Sequence, residues 1–360
     1  MRAVSPPPDG CYPNFTTAEG CNALANLVGG AGNTALGWFS LFSDVNASFN
    51  TGVGGGTLVL NTAGQSNTAT GAAALLLNTT GNNNTATGTD AMVYNDSGDY
   101  NDAYGAFALF NNSDGFSNNA FGESALFFNI TGAANTAVGD LALENNDSTG
   151  AGKANSNTAV GAQALFSNTD GDSNNAFGYN ALGGNTVGLF NQAMGFNALG
   201  SNDNGASNVA IGDSAFADNV SGSFNTVVGD LAGGGVEGDD NIYIGATAGP
   251  AAAGPKGATE SGTIRIGDPD FVGACYIAGI SGQSATTPVC VDGDGKLGEC
   301  GPASPISANK LMKEQAAKIA LQEKQIQTLT TALKQQAEQI QRVSAQIEMI
   351  RPAPRVVNNR

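Results

Sequence analysis

Histidine is absent from all 360 residues. That removes the side chain most used as a general base near neutral pH and as a metal ligand. A catalytic site would have to be assembled from carboxylates, Ser/Lys or Tyr, and no such constellation stands out, so no enzyme is expected. No run approaches the ~20 apolar residues that span a bilayer. Basic residues are scarce over most of the chain: residues 1–305 carry 5 Lys/Arg against 27 Asp/Glu, whereas residues 306–360 carry 9 against 4. A body this acidic repels phosphate backbones and anionic lipid, which are bound through basic stripes. Nucleic acid is therefore not expected as a partner, and the reversal of sign near Pro305 marks a junction between two physically different segments.

The five cysteines, Cys11, Cys21, Cys275, Cys290 and Cys300, are odd in number and contain no Cys-x-x-Cys spacing, which disfavours zinc or a redox dithiol. Cys290 and Cys300 flank "VDGDGKLGE", where Asp-Gly steps favour a tight hairpin that could pair the two thiols as a disulfide. Free, small buried thiols fit equally well. The "DGDGK" at 292–296 departs from a calcium loop, because Lys296 stands where a third Asp/Asn is needed and Ala303 where a Glu is needed. The glycines of "GVGGG" at 52–56 precede no helix and so make no phosphate cradle. No metal or cofactor is expected. The start, "MRAVSPPPDG", has neither the apolar region nor the length of a signal peptide, and reads as a Pro-rich boundary left by a trimmed export signal.

Glycine, by contrast, is abundant at 51 residues, and much of it belongs to a phrase that restarts every 17 residues. Copies begin at Thr16, Asn33, Asn50, Asn67, Asn84, Asn101, Asn118, Asn135, Asn157, Asn174, Asn191, Asn208, Asn225 and Asn241, with one step of 22 where "AGKAN" is inserted around Lys153 and a last step of 16. Fourteen copies of one period predict a solenoid. Position one is Asn in thirteen of the fourteen, position three mostly Ala, position five always Gly, and positions eight and nine mostly Ala and Leu. A second Asn recurs at position twelve with Gly three residues on. Two short runs punctuated by Asn/Gly turns predict two strands per coil, 17 residues being too few for a strand and a normal helix.

Stacking places each Asn over its predecessor, so the amides can bond along the axis as a ladder. Gly at position five supplies a positive φ or room for a close backbone approach. At about 4.8 Å per coil the stack makes a rod ~60–65 Å long. Position four is bulky where positions three and five are small, and strand alternation sends it to the opposite face. Leu36, Val53, Phe121, Val138, Val160, Phe177, Ile211 and Val228 occupy this row and are expected to form an apolar ridge between chains. Thr16 and Glu19 mark an atypical first copy that caps the stack. "NIYIG" at 241–245 and "TIRIG" at 263–267 predict a more conventional sheet. The organisation expected is a Pro-rich segment 1–15, a roll 16–250, a β-rich connector 251–305, a helical stalk 306–350 and a basic tail 351–360. Thr68/Thr70 and Thr85/Thr87 form the flat Thr array of an ice-binding surface, but only in two copies, and β-branched fillers account for them. The Asn-x-Ser/Thr triplets follow from the repeat.

From Met312 the sequence keeps a heptad: Met312, Ile319, Ile326, Leu333, Ile340 and Ile347 at a, and Gln315, Gln322, Leu329, Gln336, Val343 and Ile350 at d. The segment is about 58 Å long as a helix, closed by Pro352 and Pro354. Ile-rich a positions with Gln at d lean toward three strands. A single helix packed on the body is the alternative, disfavoured because a strict 3.5-residue seam is too narrow for a globular core. Stalk and ridge together predict a parallel homotrimer.

The phrase "NTAVGAQAL" at 157–165 and its relatives resemble the head repeats of YadA-like trimeric autotransporter adhesins, over residues 16–250. The resemblance implies left-handed parallel β-rolls assembled in threes. The stretch "IRIGDPDFVGACYIAGISG" through "VCVDGDGKLG" (264–298) is similar to bacterial tail-fibre-like proteins, which often carry an endosialidase-type intramolecular chaperone with a self-cleaving Ser/Lys pair. Here "ECGPASPISANK" leads into the heptads, so no catalytic Ser or Lys is carried over, and no autotransporter membrane barrel is seen. These likenesses imply an exported structural and adhesive fibre, secreted or at a bacterial cell surface, that binds a surface, matrix or glycan receptor. The competing expectation is a monomeric β-solenoid binding ice or polysaccharide.

Overall fold

The computed structural model describes residues 13–249, 258–267, 289–291, 297–299 and 305–350, and divides into two units, residues 1–275 and 276–360. The first is a parallel β-solenoid. Each coil contributes one three-residue strand from its positions two to four, from Thr17–Glu19 through Thr68–Thr70 and Thr136–Val138 to Ile264–Ile266, and these pair in order as one fifteen-stranded sheet. Register follows the repeat: Thr68 pairs with Thr85, Ala69 with Ala86, and Thr70 with Thr87. The 22-residue step is absorbed without slip, since Thr136 pairs with Thr158.

Two expectations are corrected. Most coils have one strand, where two were expected; among the described residues a second appears only at the end of the roll, where Val236–Glu237 pairs in parallel with Ala258–Thr259. On the return side Ala at position eight and Leu at position nine are both fully buried, as at Ala74 and Leu75. Adjacent residues of a strand point to opposite faces, so a strand cannot bury both. The chain instead places position nine in the left-handed region, with Leu75 at φ 50° and Leu109 at φ 52°. Such a Leu costs roughly 1–2 kcal/mol in isolation. The cost is offset because this backbone turns its N–H groups along the axis: Ala73 donates to the Gly55 carbonyl of the preceding coil (2.9 Å), while Leu75 and Leu77 donate to Ala91 and Val93 of the next (3.0 Å each). The second correction concerns "NIYIG" and "TIRIG", whose strands Ile242–Ile244 and Ile264–Ile266 continue the same parallel sheet beyond residue 250.

Two Asn ladders hold the coils. At position one, the Asn67 N–H donates to Asn50 Oδ1 (2.9 Å) and its Nδ2 donates to the Gly81 carbonyl (2.8 Å). At position twelve, Asn78 Nδ2 donates to Asn61 Oδ1 (2.8 Å) and to the same Gly81 carbonyl (3.1 Å). The Asn67 and Asn78 side chains are wholly buried, and their bonds meet the requirement that buried amides be satisfied. Gly at position five is needed twice over: Gly122 has φ 145°, and a Cβ there would lie 2.5 Å from Gly139 of the next coil. Between the ladders run rows of buried Ala and Leu. Where Ser40 and Thr57 replace Ala at position eight, they bond one another (2.8 Å), and Gly52 at position three leaves them the space.

The first copy is the terminal strand of the sheet, with Glu19 on its exposed face, a charge that blunts an open edge. At the other end Tyr243 replaces the inward Ala, and its hydroxyl donates to Glu260 (2.8 Å), which Arg265 grips through Nη2 (2.7 Å) and Nε (3.2 Å).

In the second unit Val289–Val291 and Leu297–Glu299 pair as an antiparallel hairpin, and Pro305–Ile350 is one helix of 46 residues. Its β-branched stretch stays helical with Thr328, Thr330 and Thr331 hydroxyls bonded to carbonyls four residues back.

Candidate functional site

With position three facing inward, position four must face outward, and the row is an external ridge interrupted by Thr70 and Thr87. Tyr104 lies over Phe121, Phe121 over Val138, Val138 over Val160, Phe177 over Met194, and Met194 over Ile211. Val53, Phe121, Val138, Phe177 and Ile211 are 36–41% exposed, while Leu36, Val160 and Val228 are half-buried. Position two shares this face and is mostly Thr, Asn or Asp, so the ridge is one apolar row beside one polar row.

Ring geometry limits what this face can bind. Tyr104 and Phe121 stack with centroids 4.9 Å apart and planes 6° apart, close to the ~4.8 Å spacing of strands. The faces of these rings are turned to one another along the axis, and only edges are left for solvent. A sugar or a base needs a free ring face, so the pair suits packing against apolar side chains better. Tyr179 and Phe196, one row over, stack similarly at 5.6 Å and 12°. Threonines at both outward positions occur at Thr68/Thr70 and Thr85/Thr87, where the two coils are in register.

The helix carries the second seam. Ile319, Ile326, Leu329, Leu333 and Ile340 are 56–67% exposed. Met312, Val343, Ile347 and Ile350 lie on the same helix, but their side chains fall outside the described residues. The two strands on either side of the Asp-Gly steps pair with Cys290 opposite Gly298; residues 292–296 and Cys300, and with it the Cys290–Cys300 pairing, lie outside the described residues.

Few ionisable groups are perturbed. Asp44 occupies position twelve, where later coils have the ladder Asn. Its Oδ1 accepts from the Ala47 N–H (2.9 Å) and its buried Oδ2 has no partner. Burial pushes its carboxyl up to about 6, against the opposing pull of the Ala47 amide and the Asn50 side chain. Burial also raises Glu144. At Glu260 burial acts upward, but the Arg265 and Tyr243 contacts outweigh it and hold the carboxyl below its usual range; the Tyr243 hydroxyl is pushed up by burial and by Glu260. In the 22-residue step, Asp147 braces the insertion by accepting from Thr131 N–H and Oγ1 and from Gly152 N–H (2.8 Å each), and Lys153 pairs with Asp170 at 3.7 Å.

Among the described residues no three His, Cys, Asp or Glu side chains gather as a metal-binding set, and no helix is long and apolar enough to cross a membrane. Sequence reasoning missed Asp44, the Tyr243–Glu260–Arg265 cap and the apolar tract on the return side. Asp44 could have been found as the one charge in a column of Asn. Comparison with known proteins gives no match, whether to family models, curated proteins or solved structures.

Proposed function

We propose that the protein is an exported, non-enzymatic structural and adhesive fibre. Three copies associate in parallel through the helix seam and the position-four ridge, with left-handed rolls presented to a surface, matrix or glycan. The observation that supports this most is that two separate elements each leave a long apolar row uncovered in the single chain, one on the roll and one on the helix. Rows of this kind are normally covered by association. The likeness of the 17-residue phrase to YadA-like heads, and of the segment before the helix to tail-fibre-like proteins, supports the same reading and its extracellular setting. The test is the mass of the intact chain in solution, alone and with Ile326→Asp plus Leu333→Asp. A trimer that the double variant dissociates is the expected result. A folded single subunit of 36.0 kDa at working concentration would overturn the assembly.

A further inference from the structure

The return side of the roll carries an apolar tract distinct from the ridge. Position ten of six successive coils is Phe42, Val59, Leu76, Val93, Phe110 and Phe127, of which Val93 is buried and the others half-buried, and the row stops at Glu144 in the seventh. Downstream the same row is mixed, with Phe166 followed by Gly183, Gly200 and Ala217. The tract is therefore confined to the N-terminal part of the roll, and it spans about 24 Å at ~4.8 Å per coil. Beside it, position eleven adds Tyr94 and Phe128, which are 48% and 38% exposed. Phe110 and Phe127 stack at 5.0 Å, while Tyr94 stands across Phe110 at 78° and Phe128 across Phe127 at 76°. The faces of Tyr94 and Phe128 are thus not both consumed by the stack.

Charge decides the occupant. Residues 13–152 contain no Lys or Arg and 11 Asp/Glu. A basic partner is favoured over an acidic one along this stretch. Where the row ends, Glu144 places a half-buried carboxyl group at the edge of the tract.

We propose that this tract docks a basic amphipathic polypeptide segment of a foreign protein, its apolar side on the position-ten and position-eleven side chains and a Lys or Arg against Glu144. A tract of this length matches a helix of about 16 residues, and Arg or Lys can also sit over the faces of Tyr94 and Phe128. This deepens the adhesive reading by naming a receptor class, and it does not depend on the trimer.

The test uses the full chain and a fluorescent Lys/Leu amphipathic peptide of about 18 residues, long enough to cover the tract, read by anisotropy. The Glu/Leu counterpart and a neutral oligosaccharide serve as competing probes. Saturable binding of the Lys/Leu peptide is expected, and Tyr94→Ser with Phe128→Ser should weaken it about tenfold or more. That double variant changes no charge, and unchanged circular dichroism confirms its fold. Tyr104→Ser with Phe121→Ser, on the ridge, should leave affinity unchanged. Equal binding by the Tyr94/Phe128 variant would reduce the effect to bulk charge and overturn the proposal. Binding of the oligosaccharide or the Glu/Leu peptide in place of the Lys/Leu peptide, or no binding, would overturn it too. Repeating the titration with Ile326→Asp plus Leu333→Asp separates this outcome from failure of the trimer, which is read by mass.

Discussion

At the scale of one residue, the column at position twelve shows how a ladder is terminated. From Asn78 to Asn219 each Asn in it donates Nδ2 to the Oδ1 of the Asn in the preceding coil. Asn61, next to Asp44, donates instead to the Gly64 carbonyl, and the coil before Asp44 offers Leu27, which has nothing to accept. Asp44 stands at the end of this column of Asn, and the consequence is a buried carboxylate. Its pKa of about 6 in the fold lies above the ordinary 3.8, so the folded chain holds the proton more tightly than the unfolded one. The stabilisation from this proton is full below about pH 4, is lost as pH rises through 6, and is absent at neutral pH. Acidification from pH 7 to 5 should therefore raise the melting temperature through this site. Asp44→Asn should stabilise the neutral-pH protein by roughly 2–3 kcal/mol and flatten the pH dependence. The new amide can donate to the Ala47 carbonyl, as Asn61 does to Gly64 (2.9 Å). Melting curves at both pH values check it; a variant with an unchanged slope would remove Asp44 as the source.

Interior Asn residues carry the opposite expectation. Asn118 Oδ1 accepts both the N–H and the Nδ2 of Asn135 (3.0 and 3.2 Å), and its own Nδ2 serves the Gly132 carbonyl (2.8 Å). Asn118→Ala leaves those groups buried without partners, at a cost of about 2–4 kcal/mol. Urea unfolding of the variant measures it.

At the scale of the element, the coil was legible to a large degree. The 17-residue period, the outward fourth position, the Asn ladder and the need for Gly at position five all follow from one repeated phrase, because stacking makes each position face its own copy. The number of strands was not legible from turn residues alone. The signal was present in the recurring Ala-Leu pair at eight and nine, two adjacent residues that both need the interior, which strand alternation forbids. Nothing local announced that Leu would accept a positive φ, since the reward is a hydrogen bond to a residue 16 positions away, as from Leu75 to Ala91. The end cap was hidden for a similar reason: Tyr243 and Glu260 are 17 residues apart, and only the coil brings them together. Gly122→Ala tests the tightness of the coil, because the added methyl meets backbone at 2.5 Å and the φ of 145° is strained for Ala. A loss of several kcal/mol is expected. It should split thermal unfolding into two transitions, since nearest-neighbour coupling is cut mid-stack. A single transition with unchanged midpoint would show that the coils can part at little cost.

At the scale of the whole molecule, the helix and the ridge make different demands on assembly. The described side chains of the helix are all exposed, apolar ones included, a seam that the proposed association would cover. The ridge belongs to a roll whose own core of Ala and Leu is already closed, and its side chains are held in register by the sheet whether or not a partner arrives. Substitution should therefore separate the two roles. Phe121→Asp with Phe177→Asp places charge on side chains that are 40% exposed, so the coils should fold with a melting temperature within a few degrees of the parent. If the ridge is an interface between rolls, the same pair should weaken the trimer by an order of magnitude or more while the helix seam still permits it at high concentration. Sedimentation equilibrium over a concentration series, beside the Ile326→Asp plus Leu333→Asp variant, resolves the contributions. An assembly insensitive to the ridge pair but dissolved by the seam pair would leave the stalk as the sole organiser and free the ridge for a receptor.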